Sequence, residues 1–248
     1  MAETRYEGRT AAELSALLGL PRVELYESVP STMDVAHALG AAGAMAGTLV
    51  LAEQQTAGRG RAGRQWASAV GSGIWLTLLE RPNDPSAIDL LTIRLGLRAA
   101  RALDRFAPRP VQLKWPNDLY VQGGKLAGIL VETRWRDRRI DWVAIGVGLN
   151  VRPPEAMPHA AALRGDAARL EVLAELLPAL RAAAAARGPL SDAELAAYAE
   201  RDLARGRRGR APAAGTVVGI DSRGSLIVRT AAGEVAHRSG SLVLEEGV

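Results

Sequence analysis

Cysteine is absent from the 248 residues, which excludes disulfides, thiolate metal ligands and a thiol nucleophile. Histidine is scarce too, and His37, His159 and His237 lie far apart in the chain, so neither a histidine-built metal site nor zinc chemistry is expected. No stretch approaches the roughly 18 uninterrupted apolar residues of a membrane span. Met1 to Gly8 lacks the basic-then-apolar order of a secretory signal, so a cytoplasmic protein without a membrane partner is expected. The scarcity of lysine is the most telling. Of 31 basic residues only two, Lys114 and Lys125, are lysine. Arginine is a planar fork and lysine a compact point charge, so a site that holds an ammonium against one small anion cannot exchange them freely. Both lysines therefore read as position-specific, against the plainer alternative of two surface lysines left by chance.

What is present supports a folded protein. Hydrophobic residues make up 48% of the chain, enough for one large domain and a small one. The net charge of +4 and the pI near 9.9 reflect arginine usage rather than a concentrated basic face, so a nucleic-acid partner is allowed but not required.

Thr10 to Leu18 reads as a short helix with Thr10 as cap and Glu13 at the capping-box position. The stretch up to Pro21 is too short for a helix-turn-helix domain, so no sequence-specific DNA binding is expected. Ser31 opens a second helix. Gly47 to Ala52 reads as a buried strand ending in the polar run Glu53-Gln54-Gln55-Thr56. Gly73 to Leu79 predicts a strand and Ala87 to Phe106 a long helix, followed by strands at Val111 to Trp115, Leu126 to Arg134 and Ile140 to Val151. Leu170 to Ala186 and Ser191 to about Leu203 read as helices, the second opened by a Ser191/Glu194 capping box. Arg205 to Gly215 reads as a linker or loop. Beyond it Thr216 to Ile220, Ser225 to Thr230, Glu234 to Arg238 and Ser241 to Leu244 alternate like the short strands of a small SH3-type barrel. The expected division is residues 1–202 and 203–248.

Gly58-Arg59-Gly60-Arg61-Ala62-Gly63-Arg64 alternates glycine with arginine, so backbone N–H groups can approach an anion while guanidinium forks bind it. The spacing is neither a Walker loop nor a dinucleotide fingerprint. Alone, it would read as a flexible basic loop or an RNA-binding tract like Arg205 to Arg210. Three further segments follow in order: Lys114-Trp-Pro-Asn117-Asp118, Lys125-Leu-Ala-Gly128-Ile-Leu, and Gly146-Val-Gly148-Leu-Asn150. Together with the loop they resemble the catalytic domain of biotin protein ligases, of the monofunctional type, from about Ser28 to Val151 and more weakly to the C-terminus. The resemblance implies an α+β fold. Its mixed or antiparallel sheet carries flanking helices, as in class II aminoacyl-tRNA synthetases and biotin ligases, with an SH3-like barrel at the C-terminus.

The resemblance also implies a site. Ser31 and Thr32 match residues lining the biotin ring pocket, with Met33 standing where the family has asparagine. Gln55 matches a glutamine near the ureido group. Arg59, Gly60 and Arg61 match the mobile loop over biotin and the adenylate phosphate, and Ala62 replaces a basic residue frequent there. Lys125 matches the lysine that contacts the biotin carboxylate and the phosphate. Gly128 joins the biotin set, while Lys114, Asn117, Gly148 and Asn150 join the ATP set. Trp66 and Trp115 read as core or pocket walls, which biotin's apolar ring and chain would need. Relatives often cover the adenine with an aromatic residue from the loop after Asn150. Here that loop offers only Met157 or His159.

Joining a carboxylate to ATP brings two anions together, so charge must be neutralised at close range. Arg59 and Lys125 suit that task, with Mg²⁺ carried on the phosphates rather than by a resident site. Arg61 is the expected gate against water. Asp118 has several readings: orienting Lys125, assisting magnesium, helping to accept the amine proton, or simply a strand-end turn, since Pro-Asn-Asp is good turn chemistry. The implied acceptor is the biotin carboxyl carrier protein of acetyl-CoA carboxylase, and a homodimer is compatible with the sequence. A lipoate or octanoate transferase would explain the lysine but not the Gly-Arg-Gly-Arg loop or the terminal barrel. An RNA-binding module would explain only the arginines.

Overall fold

A computed structural model describes residues 3–82, 84–153 and 159–245. The chain forms a seven-stranded mixed sheet with helices on both faces, then a five-stranded antiparallel sheet, the α+β arrangement expected. The first sheet contains β1 (Arg22–Val29), β2 (Thr48–Gln55), β3 (Gly73–Glu80), β4 (Gln112–Lys114), β5 (Asp118–Val121), β6 (Gly124–Arg136) and β7 (Arg139–Asn150). Their spatial order is β1-β2-β3-β7-β6-β5-β4. Only β1 and β2 are parallel, because helix α2 (Thr32–Ala41) connects them as a crossover. Among the described residues no helix is long and apolar enough to cross a membrane.

The helices begin where the caps place them. Thr10 and Ser191 each form the full capping box, opening α1 (Ala11–Leu18) and α5 (Asp192–Arg201). The Ser31 side chain accepts from Met33 N–H to start α2. Helix α3 (Ile88–Leu103) is shorter than the expected Ala87–Phe106 because its two ends tighten into 3₁₀ turns. Helix α4 (Arg169–Ala184) runs through Pro178.

The two faces of the sheet differ in bulk. Leu49, Leu51, Ile74, Leu76, Leu78, Val143, Ile145, Val147 and Leu149 are buried in the main core with α3 and α4. Register places the alternate residues on the opposite face with α2. There Gly128 pairs with Gly148, Leu130 with Gly146, Thr77 with Gly146, and Trp75 with Gly148. These are mostly small residues, and they leave room above the sheet.

Three elements differ from the sequence reading. Strand β1 was not expected; it lies at the sheet edge, where a mixed pattern of exposed and buried residues carries little apolar alternation. Asp118 is not a turn residue but the first residue of β5, since the tight Trp115–Asn117 turn folds Lys114 directly opposite it. Within the expected 205–215 linker, Arg208–Ala211 forms β8, whose partners are distant in sequence. With β9 (Gly215–Ile220), β10 (Leu226–Thr230), β11 (Gly233–His237) and β12 (Val243–Leu244) it makes the second sheet, in the order β11-β10-β9-β8-β12.

The C-terminal segment and the loops of the second sheet are tied to the preceding part of the chain through specific bonds. Trp115 Nε1 donates to Gly224 O at 3.0 Å, Leu203 N to Leu113 O at 2.9 Å, and Arg238 pairs with Asp89 at 2.9 Å. Inside the helical layer Arg94 is 2% exposed, yet charged. Its Nε donates to Glu194 at 3.0 Å and its NH2 to Pro189 O at 2.8 Å, tying α3 to the start of α5. Removing one partner of such a buried pair strands the other. Arg94→Ala is therefore expected to lower the unfolding free energy by about 3 kcal/mol in urea titration, a loss Arg101→Ala on the exposed side of α3 does not share.

Candidate active site

A cavity opens over the small-residue face. Ser31, Thr32 and Met33 line it from the start of α2, Gln55 from the end of β2, and Thr77 from β3. Gly128, Leu130, Gly146 and Gly148 form its floor, and Arg59, Gly60, Arg61, Arg64, Gln65 and Trp66 reach over it from the loop. Asn117 and Lys125 complete the wall. Most of the residues singled out in sequence thus meet at one place. Lys114, Asp118 and Asn150 stand behind the wall rather than in it.

At one end the polar groups hold each other. Gln55 Oε1 accepts from Thr32 N–H at 2.9 Å and from the Thr32 hydroxyl at 3.1 Å, while Gln55 Nε2 donates to Ser68 Oγ at 2.9 Å. The Thr32 and Thr77 hydroxyls lie 2.9 Å apart. These contacts fix which way the Gln55 amide points. Thr77 escaped the sequence reading; the signal available was a lone hydroxyl in the otherwise apolar run Ile74 to Leu79. Met33 is buried and its Cε covers Gly146, where an added Cβ would lie 2.7 Å away.

Trp66 covers the floor. An added methyl at Gly148 would overlap its indole, so this packing requires glycine there, and one at Gly128 would lie 3.0 Å from Cζ3, a tight contact. Trp66 is held by its own backbone, whose N–H donates to Gly58 O at 2.8 Å, and by Trp75 at 6.5 Å between ring centroids. Gly60 N–H donates to Arg64 O at 2.7 Å, so the arginine loop is itself a small hairpin with Ala62 and Gly63 left-handed at its tip. Indole Nε1 of Trp66 is buried without a hydrogen-bond partner.

Every cation at the cavity is constrained. Lys125 Nζ lies 2.7 Å from Asp118 Oδ1 and 5.2 Å from the Trp66 ring centroid. Asp118 Oδ1 is buried and this contact is an ion pair outside hydrogen-bond alignment. Arg59 bonds to Asp34 and Glu132 at the rim, so its guanidinium does not stand beside Lys125. Glu132 also meets His37 Nε2 at 2.9 Å, and Trp142 Nε1 donates to His37 Nδ1 at 3.0 Å, which makes Nε2 the protonated nitrogen in neutral His37. Arg61 donates to Asn117 Oδ1 and to Gly240 O in the loop between β11 and β12, both at 3.3 Å. Burial pushes the Arg61 and Lys114 pKa values down, in Lys114 against the opposing pull of Asp118. Lys114 rests over the Tyr120 ring at 5.5 Å.

Asn150 has a backbone task. Its Nδ2 donates to Lys125 O at 3.3 Å and Ala161 O at 3.1 Å, and Lys125 N–H donates to His159 O at 2.9 Å. These bonds seat Lys125 between the end of β7 and the following segment. His159 itself is exposed, and Met157 lies outside the described residues.

Residues 25–150 match the Biotin/lipoate A/B protein ligase family. The biotin--[acetyl-CoA-carboxylase] ligase of Mycobacterium tuberculosis is 36% identical over 214 residues, covering 79% of each chain. The bifunctional ligase/repressor BirA of Bacillus subtilis is 39% identical over 51% of this chain, and the chain spans only 39% of that protein's length. In three dimensions the chain resembles the Aquifex aeolicus biotin protein ligase solved with biotin and ATP, at TM-score 0.74 and 26% identity, covering 92% of this chain and 100% of that one. With more than half its length matched and a relative aligned across most of both chains, the protein belongs to the biotin/lipoate A/B protein ligase family.

Proposed function

We propose that the protein is an ATP-dependent, AMP-forming biotin protein ligase. In this reading residues 1–202 form the catalytic unit and residues 203–248 the C-terminal one. The enzyme is cytoplasmic, and its acceptor is the biotin carboxyl carrier protein of acetyl-CoA carboxylase. The observation that carries the reading is one cavity with a polar, self-fixed end at Thr32, Gln55 and Thr77, an apolar cover at Trp66, and a cationic end at Lys125. A bicyclic urea with a hydrocarbon arm ending in a carboxylate matches that sequence of surfaces.

In the first step a biotin carboxylate oxygen attacks the α-phosphorus of ATP and pyrophosphate leaves. Lys125 compensates the charge gathering on the acid and phosphorus, trading its contact with Asp118 for contacts with substrate. Arg59 is available for the same task once substrate anions replace Asp34 and Glu132. Mg²⁺ would travel with ATP on its phosphates, while Asp118, the ion-pair partner of Lys125 behind the cavity wall, would orient that ammonium. In the second step a lysine amine attacks the acyl carbon of the mixed anhydride and AMP leaves. Arg61, pinned to Asn117 and Gly240, closes the cavity between the two steps.

Biotin-dependent exchange of labelled pyrophosphate into ATP tests the proposal directly, with lipoate and octanoate in parallel. Exchange with biotin alone is expected; exchange confined to lipoate or octanoate refutes biotin as the substrate. Lys125→Arg retains the charge but not its compact shape, and is expected to slow exchange by about a hundredfold or more. An unchanged rate would remove Lys125 from its role. Arg61→Gly is expected to retain exchange while releasing biotinyl adenylate into solution, detectable by chromatography of the filtrate. Full retention of the intermediate would sink the gate.

A further inference from the structure

Strands β6 and β7 run past the cavity into a hairpin with the sequence Arg134-Trp135-Arg136-Asp137-Arg138-Arg139, exposed throughout. Trp135 is 47% exposed and is the one exposed aromatic among the chain's ten. Contacts inside the fold account for only part of this composition. Register sets Arg136 opposite Arg139, a like-charge pair that weakens a ladder. The turn places both Asp137 (φ 48°) and Arg138 (φ 66°) in the left-handed region, where arginine, unlike glycine, is strained. Arg136 is answered by Asp141 at 2.8 Å and Arg134 lies over Trp142, but among the described residues Arg138 and Arg139 have no ion pair. The tip thus presents positive charge and an indole to solvent at some cost to its own stability, the kind of local conflict expected where a surface serves a partner.

Its location suggests the partner. Leu130 lines the cavity and Glu132 holds Arg59 at the rim, while Trp135 stands farther out on the same strand, about 16 Å beyond Leu130 at the usual strand rise. A second groove, between the arginine loop and Leu130 and Glu132, adjoins the cavity on that side. A macromolecule presenting an amine across this rim would also cover the hairpin. We propose that the β6–β7 hairpin is a docking surface for the acceptor protein, pairing Arg138 and Arg139 with an acidic surface beside the acceptor lysine and using Trp135 as an apolar anchor. The proposal rests on the ligase reading above.

The two half-reactions separate docking from chemistry, because pyrophosphate exchange needs no acceptor. The experiment uses the full chain, the double variant Arg138→Glu/Arg139→Glu, and Trp135→Ala. Exchange and biotin transfer are measured against increasing biotin carboxyl carrier protein at low and moderate salt. Exchange within twofold of the unmodified protein is expected for both variants. KM for the carrier should rise about tenfold in the double variant, with kcat retained and most of its salt dependence lost. A carrier KM equal to that of the unmodified protein, with exchange intact, overturns the docking surface alone. So does loss of RNA binding in the double variant with carrier kinetics unchanged, which would make the hairpin a nucleic-acid surface. Absence of exchange in the unmodified protein would overturn the ligase reading, and this proposal with it.

Discussion

The site depends on one face of the central sheet being built from residues too small to fill the space above it. Gly128 and Gly148 sit opposite each other on β6 and β7, with Gly146 and Thr77 alongside. On the other face the same strands carry leucine, isoleucine and valine, and α3 and α4 close over them. A close-packed interior forfeits contacts at every void. Here the void is bounded instead by Trp66, packed over two glycines, and by Met33, packed over the third. A methyl group added at Gly148 would collide with the indole.

Charge is distributed on the same principle of holding a place for something else. Lys125 faces Asp118, Arg59 faces Asp34 and Glu132, and Arg61 reaches Asn117 and the Gly240 carbonyl in the β11–β12 loop. Each cation is thereby oriented by the fold itself, and the pairs of Arg59 at the rim, being exposed or half-exposed, contribute little stability and are readily exchanged for another anion. The C-terminal sheet enters this arrangement through Gly240, so a unit distant in sequence touches the loop over the cavity. Asn150 adds a second layer by seating the Lys125 backbone.

The motifs were legible because each is local and chemically unusual: two lysines in a chain of arginines, glycine alternating with arginine, a Lys-Trp-Pro-Asn-Asp turn. The capped helices and the long apolar strands were legible for the same reason. Strand β8 and Asp118 as a strand residue were not, because their pairing partners lie elsewhere in the chain and the residues themselves favour loops and turns. Thr77, Asp34 and Glu132 escaped notice because a threonine in a strand or an acid on a helix is ordinary until the fold shows what stands opposite.

Residue type and short spacing suffice to mark the family, the helix starts and the side chains able to hold anions, so these could be read from the chain alone. Which of them share a cavity, that Arg59 is held at its rim, and that Lys114 and Asn150 stand behind its wall follow from the folded arrangement alone. Those are questions of strand register and long-range pairing, and a one-residue shift in register would have turned strand residues such as Lys114 and Asn150 to the opposite face.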